Sequence, residues 1–296
     1  MRTVFLGTSA FAASVLRVLA GSAHRPVLVV TRPDRPRGRG RRLAAPPVAE
    51  VARELGLDLD QPASVNDEPA RARIAAAEPE AVCVCAFGAL IKEPLLSDYE
   101  MLNVHPSLLA RWRGAAPVER AIMAGDAQTG VSIMRVTAGL DSGPVCAQVT
   151  TPIGETDTYG SLAERLQGLG AKLLIDVLDR RPECAEQDES GATYADKLTA
   201  DDRRLDPTRS AAELDRVVRA LTPHVGAVLE LPGGERLGVW EARPHETADG
   251  LVPAALDLDG DVPILGCSPG ALELLTVQPP GRRAMPAADW LRGRRH

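Results

Sequence analysis

Three residues carry side chains suited to proton transfer and hydrogen-bond donation. Asn103 and His105 are two apart in NVHPSLLARWRGAAP, residues 103–117. On a strand, residues two apart point to one face, so the carboxamide and the imidazole share a side. Pro106 follows directly and breaks the strand, which leaves the imidazole at its mouth. Asp141 sits in GLDSGPV, residues 139–145, a glycine-flanked turn between two apolar runs. Imidazole and carboxylate are general acid–base groups, and a carboxamide is a hydrogen-bond donor. Each residue also has a plainer reading. A strand-end histidine is more often structural, and turn chemistry alone favours an aspartate between glycines.

The elements that must position these residues are legible as patterns. TVFL (3–6), PVLVV (26–30), AVCVCAF (81–87) and MLNVH (101–105) are short apolar runs. Helical spacing occupies 11–20, 47–56, 71–77 and 117–125 between and after them. Continuous apolar strands alternating with helices predict a mostly parallel, Rossmann-like α/β sheet. In such sheets ligands bind at the carboxyl ends of the strands, where His105 falls. VSIMRV (131–136), VCAQVT (145–150) and a long amphipathic helix over 161–179 complete this part. The first turn, GTSAF, lacks the glycine spacing that brings a backbone close to a pyrophosphate, so dinucleotide binding is not expected.

Residues 186–206 are polar and are expected to link two domains, 1–185 and 207–296. After a helix over 211–221, short apolar runs broken by PGG, DG and SPG predict a small, OB-like antiparallel β-barrel.

The two chemistry-bearing stretches together resemble the formyltransferase family that uses 10-formyltetrahydrofolate. The family pattern reads N-I/V-H-x-S-L-L-P-R-W/Y-R-G-A-A-P, followed by G-L-D-T/S-G. The chain departs from it only at Ala110, where the family usually has proline. GTSAFAASVL, RPDRPRGRGRRL, CAFGALI and LLTVQPPGRRAM resemble further family segments. The likeness covers most of residues 1–200 and thins to patches beyond.

The resemblance implies acyl transfer to an amine through a tetrahedral oxyanion, with Asn103, His105 and Asp141 as the catalytic residues. Such chemistry needs oxyanion donors and a proton carrier rather than a covalent nucleophile or a metal. Asn103 is the oxyanion donor. His105 is expected to donate to the same charge or to shuttle the proton, and Asp141 to orient the imidazole or to take the amine proton itself. Phe87, Gly88, Leu90, Ser107, Leu108, Leu109 and Ala110 are expected at the folate site. Alanine in place of proline at 110 frees one φ angle, and only a modest loss of loop rigidity is expected.

One further stretch asks for a partner. RPDRPRGRGRR, residues 32–42, holds six arginines in a chain of net charge -6. Its glycines and prolines predict a loop. The resemblance is to the branch of the family acting on initiator methionyl-tRNA, whose equivalent basic loop enters the acceptor arm. Arg35, Arg37, Arg39, Arg41 and Arg42 are therefore expected to bind tRNA, together with Arg282 and Arg283 near the C-terminus. Arginine gives forked donors for phosphate. A sugar-nucleotide formyltransferase, a formyltetrahydrofolate hydrolase and an RNA-binding module are the rival readings. The first two have no use for the arginines, and the third leaves the Asn/His/Asp set unexplained.

Five scattered cysteines do not read as a disulfide framework, and Cys83 and Cys85 read as plain buried thiols. With no targeting segment and no apolar run long enough to span a bilayer, a cytoplasmic monomer is expected.

Overall fold

A computed structural model describes residues 1–37, 42–247 and 250–294. The chain opens with β1 (Thr3–Gly7), α1 (Ala10–Ala20), β2 (Pro26–Val30), β3 (Arg35–Arg37) and β4 (Arg42–Ala44). Next come α2 (Pro47–Glu54), β5 (Leu59–Asp60), α3 (Glu68–Ala76), β6 (Ala81–Cys85) and α4 (Leu95–Asp98). The central part holds β7 (Met101–His105), β8 (Arg113–Gly114), α5 (Pro117–Ala124), β9 (Gln128–Arg135), β10 (Val145–Pro152) and α6 (Tyr159–Arg180). After β11 (Tyr194–Ala195) follow α7 (Ala211–Leu221), β12 (Ala227–Glu230), β13 (Arg236–His245) and β14 (Leu256–Asp257). β15 (Ile264–Gly266), β16 (Ala271–Gln278), β17 (Met285–Pro286) and α8 (Ala287–Arg292) end the chain. Two compact units result. One is Met1–Gly114, Thr129–Thr151 and Ala163–Tyr194, and the other is Ala115–Gln128, Pro152–Leu162 and Ala195–His296.

The first unit is built on a seven-stranded sheet in the order β10-β9-β7-β6-β1-β2-β5. The pairs β2–β5, β1–β2, β1–β6 and β6–β7 are parallel, and β7–β9 is antiparallel. All five residues of β1 and of β6 are buried, the reason both read as continuous apolar runs. Val4, Leu6, Leu28, Val30, Val82 and Val84 form one core with Ile74 and Phe87. Ser9 caps α1 by accepting from the Ala12 N–H at 3.2 Å. Thr8 Oγ1 donates to the Phe87 carbonyl at 2.7 Å, joining the turns that follow β1 and β6.

Two expectations change here. Residues 32–42 are not simply a loop. Arg35–Arg37 and Arg42–Ala44 pair antiparallel, with Pro36 opposite Leu43. A two-stranded ribbon is all edge, so its proline costs no interior ladder bond. Cys146 and Cys184 form a disulfide, because the antiparallel bridge between Val145 and Ala185 sets their backbones side by side. That bridge joins residues far apart in sequence, and nothing local announces it. Cys83 and Cys85 are buried free thiols, with burial pushing Cys83 up to about 12 and raising Cys85 as well.

The second unit carries an antiparallel sheet in the order β12-β13-β16-β15-β14, with β17 paired to β16. Leu214, Val217, Val218 and Leu221 of α7 pack with Leu237, Val239, Leu272, Leu274 and Val277 of the sheet, and α8 adds Trp290 and Leu291. A capping box starts α7: Ser210 Oγ accepts from the Glu213 N–H, and Glu213 accepts from the Ser210 N–H. Residues 186–206 hold two 3-10 turns, Glu189–Gly191 and Asp201–Arg203, besides β11. No helix among the described residues is long and apolar enough to cross a membrane.

Candidate active site

Because β1, β6 and β7 run parallel, their carboxyl ends lie on one edge of the sheet. The segments 7–9, 86–90 and 105–114 therefore emerge together, and the predicted catalytic residues meet there. Asn103 and His105 project from the end of β7. Asp141 comes from the segment joining β9 to β10 and places its carboxylate between them. Asn103 Nδ2 donates to Asp141 Oδ1 at 3.4 Å, and His105 Nδ1 lies 3.6 Å from Asp141 Oδ2. The His105 ring is almost fully buried, and the Asp141 carboxylate keeps 18 % of its side-chain exposure, enough to face an incoming molecule.

The imidazole tautomer follows from its second contact. His105 Nε2 lies 2.8 Å from the Trp112 carbonyl oxygen. A carbonyl only accepts, so Nε2 carries a hydrogen, and Nδ1 is the nitrogen free to gain or lose a proton. Asp141 is fixed in turn by the Gly114 N–H, which donates to Oδ2 at 2.9 Å. Trp112 and Gly114 act through backbone groups, which no pattern of residue types reveals.

The turn around Asp141 is left-handed, with φ at +45°. Aspartate is one of the few non-glycine residues that visit this region routinely. A Cβ at Gly143 would stand 2.0 Å from the Arg135 carbonyl oxygen, so the return to β10 has room only for glycine. This is the physical content of GLDSG.

Of the expected folate residues, Phe87 and Ser107 are buried, Leu108, Leu109 and Ala110 are half-buried, and Gly88 and Leu90 are exposed. Ser107 is fully buried and donates through Oγ to the Arg111 carbonyl at 2.6 Å. Leu109 N–H donates to Ser132 Oγ at 3.1 Å, and the Leu109 carbonyl accepts from Gln148 Nε2 at 2.8 Å. Ser132 Oγ also donates to the Ser107 carbonyl at 2.6 Å. The Leu108 carbonyl accepts from Arg111 and the Ala110 carbonyl from Thr193, and the Leu109–Ala110 peptide is cis. The 107–111 segment is thus tied to β9 and β10 by Ser132 and Gln148, two residues the sequence did not single out. Their signal is faint: polar side chains on strands whose neighbours are mostly apolar. Phe87 is buried in the core, Gly88 turns the chain with φ at +71°, and Leu90 is 68 % exposed.

The predicted arginines fall in separate places. Arg35 is exposed at the base of the β3–β4 hairpin, and the backbones of Arg37 and Arg42 belong to its strands. Arg39 and Arg41 lie outside the described residues. Arg282 and Arg283 are exposed in the second unit between β16 and β17.

Comparison with known proteins identifies the family. Residues 1–178 match the family described as formyl transferase, and residues 197–295 match formyl transferase, C-terminal domain. A methionyl-tRNA formyltransferase of Methylococcus capsulatus is 43% identical over 98% of this chain and 96% of its own length. That of Thermobifida fusca is 42% identical over 100% of this chain and 97% of its own. Among solved structures, an N-formyltransferase from Helicobacter canadensis in complex with folinic acid and dTDP-3-aminofucose superposes with a TM-score of 0.69. It is 12% identical, with 93% of this chain and 98% of that chain covered. HypX from Aquifex aeolicus in complex with tetrahydrofolic acid gives 0.67 at 18% identity, covering 98% of this chain and 47% of that one. The structures share the fold. The family models and the full-length sequence relatives go further, and by them the chain belongs to the formyl transferase family, as a relative of the methionyl-tRNA formyltransferases.

Proposed function

We propose that the chain transfers the formyl group of 10-formyltetrahydrofolate to the amino group of methionyl initiator tRNA, preparing it for translation initiation. The observation that carries this reading is the meeting of Asn103, His105 and Asp141 at the carboxyl edge of the sheet, with His105 Nδ1 turned towards the carboxylate. The amine attacks the formyl carbon and forms a tetrahedral oxyanion. Asn103 Nδ2 and a protonated His105 Nδ1 are the hydrogen-bond donors for that charge. The carbon–nitrogen bond to folate N10 then breaks. One proton leaves the amine and one reaches N10, so the net movement is a single proton between nitrogens. His105 Nδ1, steadied by Asp141, is the group placed to carry it. Asn103, His105 and Asp141 are the catalytic residues in this reading.

Phe87, Gly88, Leu90 and the 107–110 segment form the folate site. The arginines of 35–42 and Arg282 and Arg283 bind tRNA phosphates. Residues 1–185 are the catalytic domain and 207–296 the tRNA-binding domain, joined by 186–206. The enzyme works as a cytoplasmic monomer.

The test is direct. The purified protein is incubated with 10-formyltetrahydrofolate and methionyl initiator tRNA, beside an amino sugar nucleotide and a control without amine. Formyl-methionyl product above both controls supports the proposal. A formylated sugar, or formate released in the control at the same rate, overturns the choice of acceptor.

A further inference from the structure

The Gln187 side chain bridges two carbonyls of the Asp141 turn. Gln187 Nε2 donates to the Asp141 carbonyl at 2.8 Å and to the Gly143 carbonyl at 2.8 Å. Gln187 Oε1 accepts from Arg113 Nε at 3.0 Å and from Arg113 Nη2 at 2.8 Å. Both amide hydrogens and both lone pairs are thereby used. The orientation of the amide follows from its partners, since carbonyls need the nitrogen and a guanidinium needs the oxygen. Arg113 is only 2 % exposed and is also paired with Glu189. Its neighbour Gly114 supplies the N–H that grips the Asp141 carboxylate. The chain at 113–114 thus reaches Asp141 twice, once directly and once through Gln187.

Gln187 is itself anchored beside β10. Ala185, two residues earlier, exchanges backbone hydrogen bonds with Val145 at 2.7 and 2.9 Å, and Cys184 is bonded to Cys146. Aspartate tolerates the positive φ of this turn, but the turn's place relative to β7 is set by the contacts that Gln187 and Gly114 make with it. We propose that Gln187, oriented by buried Arg113, is a positioning residue that holds Asp141 at its distance from Asn103 and His105. This rests on the reading of Asp141 as a catalytic residue.

The experiment compares Q187A, Q187E and D141A with the unmodified protein in steady-state formylation of methionyl-tRNA, with thermal unfolding of each. Q187E keeps the shape and the pairing with Arg113, but turns an oxygen towards two carbonyls. Expected is a fall in kcat of about 10- to 100-fold for Q187A and Q187E, the scale of a displaced catalytic group. KM for both substrates stays within about two-fold, because Gln187 touches neither in this reading. Q187A added to D141A lowers the residual rate no further, since its effect passes through Asp141. If Q187A destabilises the fold, Q187E carries the comparison. Wild-type kcat in Q187A and Q187E beside an impaired D141A overturns the positioning role and leaves Asp141 catalytic. A full-rate D141A overturns the reading of Asp141 and this proposal with it.

Discussion

At the residue scale, the proposed mechanism rests on one protonatable nitrogen and the groups that aim it. His105→Ala and Asp141→Ala are expected to lower turnover by roughly 10²–10⁴-fold, the usual range for general acid–base groups, in proteins that unfold at the normal temperature. Asp141→Asn keeps the size but loses the charge facing Nδ1, and single-turnover formylation should show most of the same loss. Full activity in Asp141→Asn removes Asp141 from the mechanism. Gly143→Ala places a methyl against the Arg135 carbonyl and must displace the turn that carries Asp141. It is expected to lower both the melting temperature and kcat, measured on the same preparation. The trio was legible because its side chains sit in a dense pattern. The Trp112 carbonyl, the Gly114 N–H and Gln187 were not, since the first two are backbone groups and the third lies 46 residues from the turn it holds.

At the element scale, the α7 cap and the Arg120–Asp202 ion pair help to anchor the second unit. The Ser210 capping box starts α7, whose apolar face fills the core of that unit. Ser210→Ala is expected to cost about 1 kcal/mol, read as a lower urea midpoint at unchanged slope. On the 3-10 turn Asp201–Arg203, Asp202 accepts from Arg120 of α5 and from the Thr199 N–H. The Arg120 guanidinium is the main cause that holds the Asp202 carboxyl down, from 3.8 to about 2. A depressed carboxyl stabilises the fold above its unfolded value, and that contribution is lost as the pH falls from about 3.8 through about 2. Asp202→Asn should therefore be less stable at neutral pH and should lose less on acidification across that window, measured by urea unfolding at each pH. The longer helices and most strands were readable from period and punctuation, whereas the short α4 and α8 were not. The hairpin in 32–44 was not, because proline and glycine mark a turn without showing whether the flanking chain pairs.

At the scale of the whole molecule, charge is distributed against its own balance. A chain of net charge -6 keeps six arginines within residues 32–42. Neutralising Arg41 and Arg42 is expected to raise KM for tRNA and to flatten its salt dependence by roughly one unit of slope per lost phosphate contact. KM for the folate should be nearly unchanged. Neutralising Arg282 and Arg283 tests the C-terminal contribution in the same assay. Unchanged tRNA kinetics in both variants reduces these arginines to solvated surface.

The sequence by itself determined the fold class, the order of the main elements and the family, and it singled out Asn103, His105 and Asp141. Periodicity and a dense motif are local properties, and local properties survive in a linear string. Only the tertiary structure decided that Asp141 stands between Asn103 and His105, and that His105 presents Nδ1 to it. It also paired Cys146 with Cys184 and tied Gln187 to the Asp141 turn. These are contacts between residues distant in the chain, settled by strand register and by which carbonyl meets which donor once the sheet has formed.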